Sequence, residues 1–207
     1  MGRLRVIALS SGGIDSSVML RLLKKEDCRI FPLFVDYGQL AAKAEWEACQ
    51  KICKYLDLEP SRIDVSGFGH LIISGLTNRN LDIEKDAFLP TRNLLFLTVG
   101  AAYGYLKAAH VIAIGLLSNP IFPDQTVEFV QEAQGAITKA LGVDISILTP
   151  LISLNKFDTL LLARKYGLPL SDTYSCHSGN KEPCGHCISC RERMAAEKWL
   201  ASRPHLG

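Results

Sequence analysis

Apolar residues recur along this chain in short runs separated by longer amphipathic stretches. The runs Arg5–Leu9, Ile30–Val35, Arg62–Val65, His110–Gly115 and Ile145–Leu148 are short, β-branched and mostly apolar. They lack the apolar–polar alternation of a half-buried strand, so they predict strands covered on both faces. Between them, helical patterns span Ser16–Lys25, Leu40–Leu56, Arg92–Lys107 and Gln125–Leu141, and a further helix is predicted over Lys156–Tyr166. Strand and helix alternating in this way predict right-handed crossovers and an α/β fold with a doubly wound parallel sheet. Ligands of such sheets bind beyond the carboxyl ends of the strands. The alternation stops after Gly167, so residues 1–167 are read as the α/β domain and 168–207 as a small appended subdomain.

Composition narrows this picture. A length of 207 residues with 48 % hydrophobic content supports a real core and argues against disorder. The net charge of +2, from 23 basic and 21 acidic residues, is no electrostatic footprint for nucleic acid. The apolar runs are interrupted or too short to span a bilayer. The N-terminus shows no secretion pattern, and Val6 stands where a myristoylation signal needs Ser or Thr. These features predict a cytoplasmic protein without a membrane partner.

Three polar segments follow predicted strands. The first, LSSGGIDSSVML at 9–20, ends strand one and opens a helix. Gly12 and Gly13 allow a sharp turn and close approach to a ligand. Successive N–H groups there and at the helix start form an anion nest. Ser11, Ser16 and Ser17 add hydroxyls, and Asp15 can accept N–H donors or help hold magnesium. A plain glycine turn with a serine cap remains the alternative. Neither GxGxxG nor GxxxxGK[ST] occurs, which removes the dinucleotide and Walker readings. The second segment, VDYGQ at 35–39, aims Asp36 and Gln39 at the same crevice, unless it is only a strand-ending turn. The third is LPTRNLLFL at 89–97, in which Thr91 can cap a helix that places Arg92 and Asn93 in its first turn. A cation is poorly placed against the dipole at a helix start, which hints at an anionic ligand, although an exposed arginine is the simpler reading.

There are seven cysteines, and four of them, Cys176, Cys184, Cys187 and Cys190, are spaced C-x7-C-x2-C-x2-C. Four thiolates so close can close a tetrahedral zinc site of the structural kind. His177 and His186 could substitute as ligands, and a redox CxxC pair or free thiols are the rivals. Cys28, Cys49 and Cys53 read as small core residues.

The SGGxDS core resembles the PP-loop of ATP pyrophosphatases, which cleave ATP between the α and β phosphates and adenylate a substrate oxygen. Taken together, SGGIDSS (11–17), DYGQ (36–39), RNLLFL (92–97), TPL (149–151), KFDT (156–159) and CGHCISCRER (184–193) resemble the 7-cyano-7-deazaguanine synthase (QueC) family over nearly the whole chain. The resemblance implies a Rossmann-like PP-loop fold with a C-terminal zinc-binding subdomain. It implies that ATP binds along Ser10, Ser11, Gly12, Gly13, Ile14, Asp15, Ser16, Ser17, Val18, Met19 and Leu20, and that the four clustered cysteines bind zinc. Asp15, Lys156 and Arg92 are the candidate catalytic residues, with magnesium bridging phosphates. Asp36, Gln39, Thr91, Asn93, Phe122 and Asp124 are the candidate substrate contacts. Phe122 would stack on the base and Asp124 would pair with its donors, unless Asp124 only caps the helix beginning near Gln125.

The implied reaction converts 7-carboxy-7-deazaguanine, ammonia and ATP to the nitrile in a homodimer. Two departures stand out. Thr91 replaces the usual Gly, and in SNPIFPDQTVEF only Pro123 and Asp124 match the family pattern. A paralogue acting on a related deazapurine acid, stopping at the amide or modifying another acceptor, is therefore the first alternative. Another PP-loop ligase or tRNA-modifying enzyme, and a non-catalytic nucleotide-binding module, are the others.

Overall fold

The computed structural model describes residues 3–203; the Met1-Gly2 start and residues 204–207 of the tail lie outside the described residues. Five parallel strands, β1 (Leu4–Leu9), β2 (Cys28–Asp36), β3 (Ser61–Asp64), β4 (Val111–Ala113) and β5 (Ser146–Leu148), form one sheet in the order β3-β2-β1-β4-β5. The doubly wound parallel sheet expected from the sequence is what is found. The chain winds from β1 out to β3, then returns to lay β4 on the other side of β1, pairing Val6 with Val111. The crevice of such a fold opens where the winding reverses, between β1 and β4.

Both faces of the sheet are covered, which is why the strands read as unbroken apolar runs. Along β1, Val6 and Ala8 face one core and Ile7 and Leu9 the other. The first core is closed by α1 (Ile14–Leu23), α2 (Ala42–Tyr55), α6 (Lys156–Lys165) and α7 (Ile188–Ala201), and the second by α4 (Arg92–Leu106) and α5 (Val127–Leu141). Cys28, Cys49 and Cys53 are buried in the first core.

Two helices were absent from the pattern. The short α3 (Gly67–Leu71) carries two glycines in five residues, which hides its periodicity. In α7 the cysteines and charges obscure an apolar stripe whose Ala196 and Leu200 join the first core. The helix predicted from Gln125 begins later. Pro123–Gln125 is a single 3-10 turn, and Thr126 caps α5 by accepting from the Phe129 N–H at 3.1 Å.

The start of α4 differs from expectation in its chemistry. Thr91 occupies the N-cap position but does not cap; its hydroxyl donates to the Pro90 carbonyl at 2.7 Å. The cap comes from Asp124, whose Oδ2 accepts the Asn93 N–H at 3.0 Å, while Asn93 Nδ2 donates to the Asp124 carbonyl at 2.8 Å. Thr91 itself is left-handed, at φ 60°. That conformation costs a residue with a Cβ on the order of 1–2 kcal/mol. The extra unfolded-state entropy of glycine takes back roughly 0.4–1 kcal/mol. Thr91→Gly is therefore expected to raise the urea midpoint modestly with an unchanged slope, and a lower midpoint would contradict the assignment of strain.

Candidate active site and metal centre

Beyond the ends of β1, β2 and β4 lies a cavity of about 310 Å³. Its walls include Ser10, Ser11, Asp15 and Ser16 from the first loop, Tyr37, Gln39 and Glu45 after β2, Arg92 and Asn93 from α4, Phe122 and Gln125 from the loop after β4, Lys156 from α6, and His177, Ser189 and Glu192 from the tail. Segments far apart in sequence thus meet at the switch point.

The loop after β1 turns at Gly12, which is left-handed at φ 77°. A Cβ there would sit 2.5 Å from the Cys49 nitrogen and 2.6 Å from the Glu45 carbonyl oxygen, so only glycine lets the loop lie on the backbone of α2. Gly13 is extended and forms the N-cap of α1, which carries no side-chain cap. Ser16 and Ser17 turn their hydroxyls back to the Gly13 carbonyl, at 3.1 and 2.7 Å. No serine caps α1, so the plain capping alternative is set aside, and the first-turn N–H groups of α1 remain without a side-chain acceptor. Ile14, Val18, Met19 and Leu20 are buried in the first core, where they anchor the loop; their side chains do not line the cavity.

Lys156 Nζ donates to Asp15 Oδ2 at 2.6 Å, an ion pair between residues 141 positions apart. The other oxygen, Oδ1, is buried without a partner among the described residues. An orphaned carboxylate oxygen beside an uncapped helix start suits a hard cation held with an anionic ligand. Glu192, which the sequence reading passed over, lies nearby. Burial raises its acid form, the Lys156 charge opposes this and Asp15 adds to it. His177 is held neutral down to about 4, first by burial and then by the charges of Arg92 and Lys156.

The segment after β2 divides its duties. Asp36 does not line the cavity: its carboxylate pairs with Arg62 on β3 and accepts the Gly38 N–H at 3.0 Å, so it shapes the turn. Gln39 does line the cavity, accepting from the Tyr37 N–H and donating to Glu45 Oε2, each at 2.9 Å. Glu45, also missed from sequence, is half-buried on α2. Burial lifts its acid form to about 7, against the pull of the Gln39 hydrogen bond and the Arg92 charge. Tyr37 is likewise pushed up to about 12 by burial, opposed chiefly by Arg92.

Of the remaining expected substrate contacts, Phe122 and Asn93 line the cavity and Phe122 packs against Phe88 with centroids 5.2 Å apart. Thr91 and Asp124 do not line it. Asp124 is occupied in capping α4, the helix that carries Arg92, and the cap was expected on a different helix.

In the tail, the sulfurs of Cys176, Cys184, Cys187 and Cys190 all lie within 4.8 Å of one another. A tetrahedral ion with metal–sulfur bonds of about 2.3 Å needs sulfurs about 3.8 Å apart, so the set fits a thiophilic metal. The backbone N–H of Cys184 points at Cys176 Sγ (3.2 Å) and that of Cys187 at Cys184 Sγ (3.4 Å), contacts that favour thiolates. Left-handed Gly185 makes the tight turn between Cys184 and Cys187. The metal loop is tied to the cavity by the Tyr174 N–H, which donates to the Gly12 carbonyl at 3.0 Å. Gly179 presses on the Leu40 backbone with no room for a Cβ.

Comparison with known proteins decides the family. The family model for queuosine biosynthesis protein QueC matches residues 5–200. A 7-cyano-7-deazaguanine synthase from Nautilia profundicola is 34 % identical, with 92 % of this chain and 91 % of that protein aligned. The chain belongs to the QueC family. A second QueC relative, from Prochlorococcus marinus, is also named 7-cyano-7-deazaguanine synthase and is 35 % identical over 94 % of each chain. Among solved structures, a 4-thiouridine synthetase–RNA complex with bound ATP matches with TM-score 0.57 at 16 % identity, covering 98 % of this chain and 52 % of that one. The U34-tRNA thiolase NcsA from Methanococcus maripaludis matches with TM-score 0.53 at 17 % identity, covering 99 % and 68 %. At such identities these neighbours speak for the fold alone. Among the described residues of this QueC chain, no helix is long and apolar enough to cross a membrane.

The half-buried Glu45 makes stability depend on pH. Its folded acid form titrates at about 7, above the ordinary value of 4.5, so the native state keeps a proton that the unfolded chain releases. That contribution is complete below the unfolded value and is lost as pH rises through about 7. Glu45→Gln stays neutral and can still accept from Gln39. It should flatten the decline between about pH 5 and 8, by at most about 3 kcal/mol, in urea melts across that range. Parallel pH profiles for the two proteins would contradict a buried acid at this position.

Proposed function

We propose that this chain is an ATP-dependent carbon–nitrogen ligase that makes 7-cyano-7-deazaguanine from 7-carboxy-7-deazaguanine and ammonia. The observation that carries this reading is the QueC match across residues 5–200, in a chain whose first loop, Asp15, Lys156 and Arg92 meet at one cavity. The substrate carboxylate attacks the α-phosphorus of ATP and expels pyrophosphate. Ammonia then displaces AMP to give the amide. A second ATP activates the amide oxygen, and loss of AMP and a proton leaves the nitrile.

The protein's part is to position these groups and to stabilise phosphate charge. The loop Ser10–Gly13 and the uncapped start of α1 cradle the pyrophosphate. Lys156 supplies a cation beside the loop and Arg92 a second from the start of α4. Asp15, with its free buried oxygen, is the residue that would hold magnesium, which supplies charge neutralisation on phosphates when bound. Phe122 stacks on the planar base and Gln39 and Asn93 border it. Asp36, Thr91 and Asp124 act one step back, shaping the segments that present Gln39 and Arg92. The metal of the four-cysteine cluster is zinc, in a closed structural site that braces the chain after Gly167 as a subdomain. A cytoplasmic homodimer acting on small molecules, without nucleic acid, completes the reading.

Incubation with ATP, ammonia and the deazaguanine acid should release AMP and pyrophosphate and yield the nitrile by mass spectrometry. Asp15→Ala should abolish turnover with the fold intact by circular dichroism. Release of ADP and phosphate, or arrest at the amide, would overturn the reading.

Metal analysis should find one zinc per chain, and Cys184→Ser should lose it together with thermal stability. Unchanged zinc in that variant would show that the ligand set is wrong.

A further inference from the structure

His177 directly follows the first metal-cluster cysteine, yet its ring reaches the cavity wall. Its Nε2 lies 2.9 Å from Ser189 Oγ, and Ser189 stands between Cys187 and Cys190 on α7. Both ends of this contact are therefore anchored within the cysteine cluster. Its Nδ1, in contrast, is buried with no hydrogen-bond partner among the described residues. A buried imidazole nitrogen without a partner costs free energy unless something else supplies the bond. The charges of Arg92 and Lys156, the two cations of the cavity, both act on this ring.

Resting on the function proposed above, we infer that His177 is a substrate-binding residue: its Nδ1–H, in the cavity that Arg92 and Lys156 also line, hydrogen-bonds the carboxylate of the heterocyclic acid. The Ser189 hydroxyl supports this role. When the hydroxyl donates to Nε2, the ring proton sits on Nδ1 and the free nitrogen presents a donor. The phosphates have their own donors in the loop after β1 and the start of α1. The acid must lie against the α-phosphate, with its charge facing the cations that the loop leaves unused. Arg92, from α4, is such a cation, and His177, from the tail, lines the same cavity. The metal-bound tail is thereby part of the reaction cavity as well as a brace, because the cluster holds the ring that meets the acid.

Calorimetric titration of the zinc-loaded protein, with the acid and with ATP separately, tests this. His177→Ala should weaken acid binding roughly tenfold or more, the loss expected for one hydrogen bond to a charged group. It should leave ATP binding within about twofold and zinc content unchanged. His177→Asn places an amide N–H near the position of Nδ1–H and should recover most of the affinity; His177→Gln should not. In turnover the alanine variant should raise KM for the acid more than it lowers kcat. Acid binding unchanged in His177→Ala, or a parallel loss of ATP binding, would overturn the inference and leave the ligase reading standing. Wild-type protein that binds ATP but not the acid would overturn both.

Discussion

Gly12 has no space for a side chain, and the closing of the site depends on that absence. Its left-handed backbone lies against the Cys49 nitrogen and the Glu45 carbonyl on α2, and its own carbonyl accepts the Tyr174 N–H from the tail. A strand end, a helix and the metal loop therefore converge on one residue. Any Cβ would push α2 away and take with it Glu45 and the Gln39 side chain hydrogen-bonded to it. The start of α1, directly after, is left uncapped as the other serines bond backward, and it presents donors where the sheet reverses direction.

Charge is arranged around that donor set in a graded way. At the loop Asp15 pairs directly with Lys156, and its other oxygen has no partner among the described residues. Arg92 approaches from α4, a helix whose N-terminus is capped by Asp124 across the chain. That cap offsets the unfavourable placement of a guanidinium at a helix start, because a carboxylate there complements the dipole. Behind these groups sit Glu45 and Tyr37, whose ionisation is suppressed by burial, so the wall stays poor in negative charge. A site for anionic substrates is well served by such a wall.

The tail connects two kinds of stability. Through Ala196 and Leu200 it contributes to the first core, and through the four cysteines it forms a compact loop that reaches back to Gly12 and Leu40. Arg193 ties the two together, donating to the carbonyls of Leu170 and Thr173. A segment with so few apolar residues cannot hold this loop by burial alone, which is the physical reason for a metal-ligand set at that place.

Much of this was legible in the order of residues. Apolar runs without alternation announced a sheet covered on both faces, because parallel strands bury both sides. The loop, the DYGQ and RNLLFL segments and the cysteine spacing were visible because turns, anion nests and tetrahedral sites need particular residues at short separations. Long-range geometry was not visible. The pairing of Lys156 with Asp15 and the sharing of one cavity by His177 and Arg92 each cross more than eighty positions, and no local pattern encodes them. Asp36 and Asp124 show the opposite error: carboxylates next to strand ends looked like ligand contacts, but tertiary packing brought Arg62 and the start of α4 to them first. Glu45 and Glu192 looked like ordinary helix-surface acids until neighbouring elements half-buried them at the cavity. Local sequence determined the elements, their covered faces and the chemistry carried by each loop. Which side chains face the cavity, and which are spent on holding it open, was decided only when the winding of the sheet brought those loops to one point.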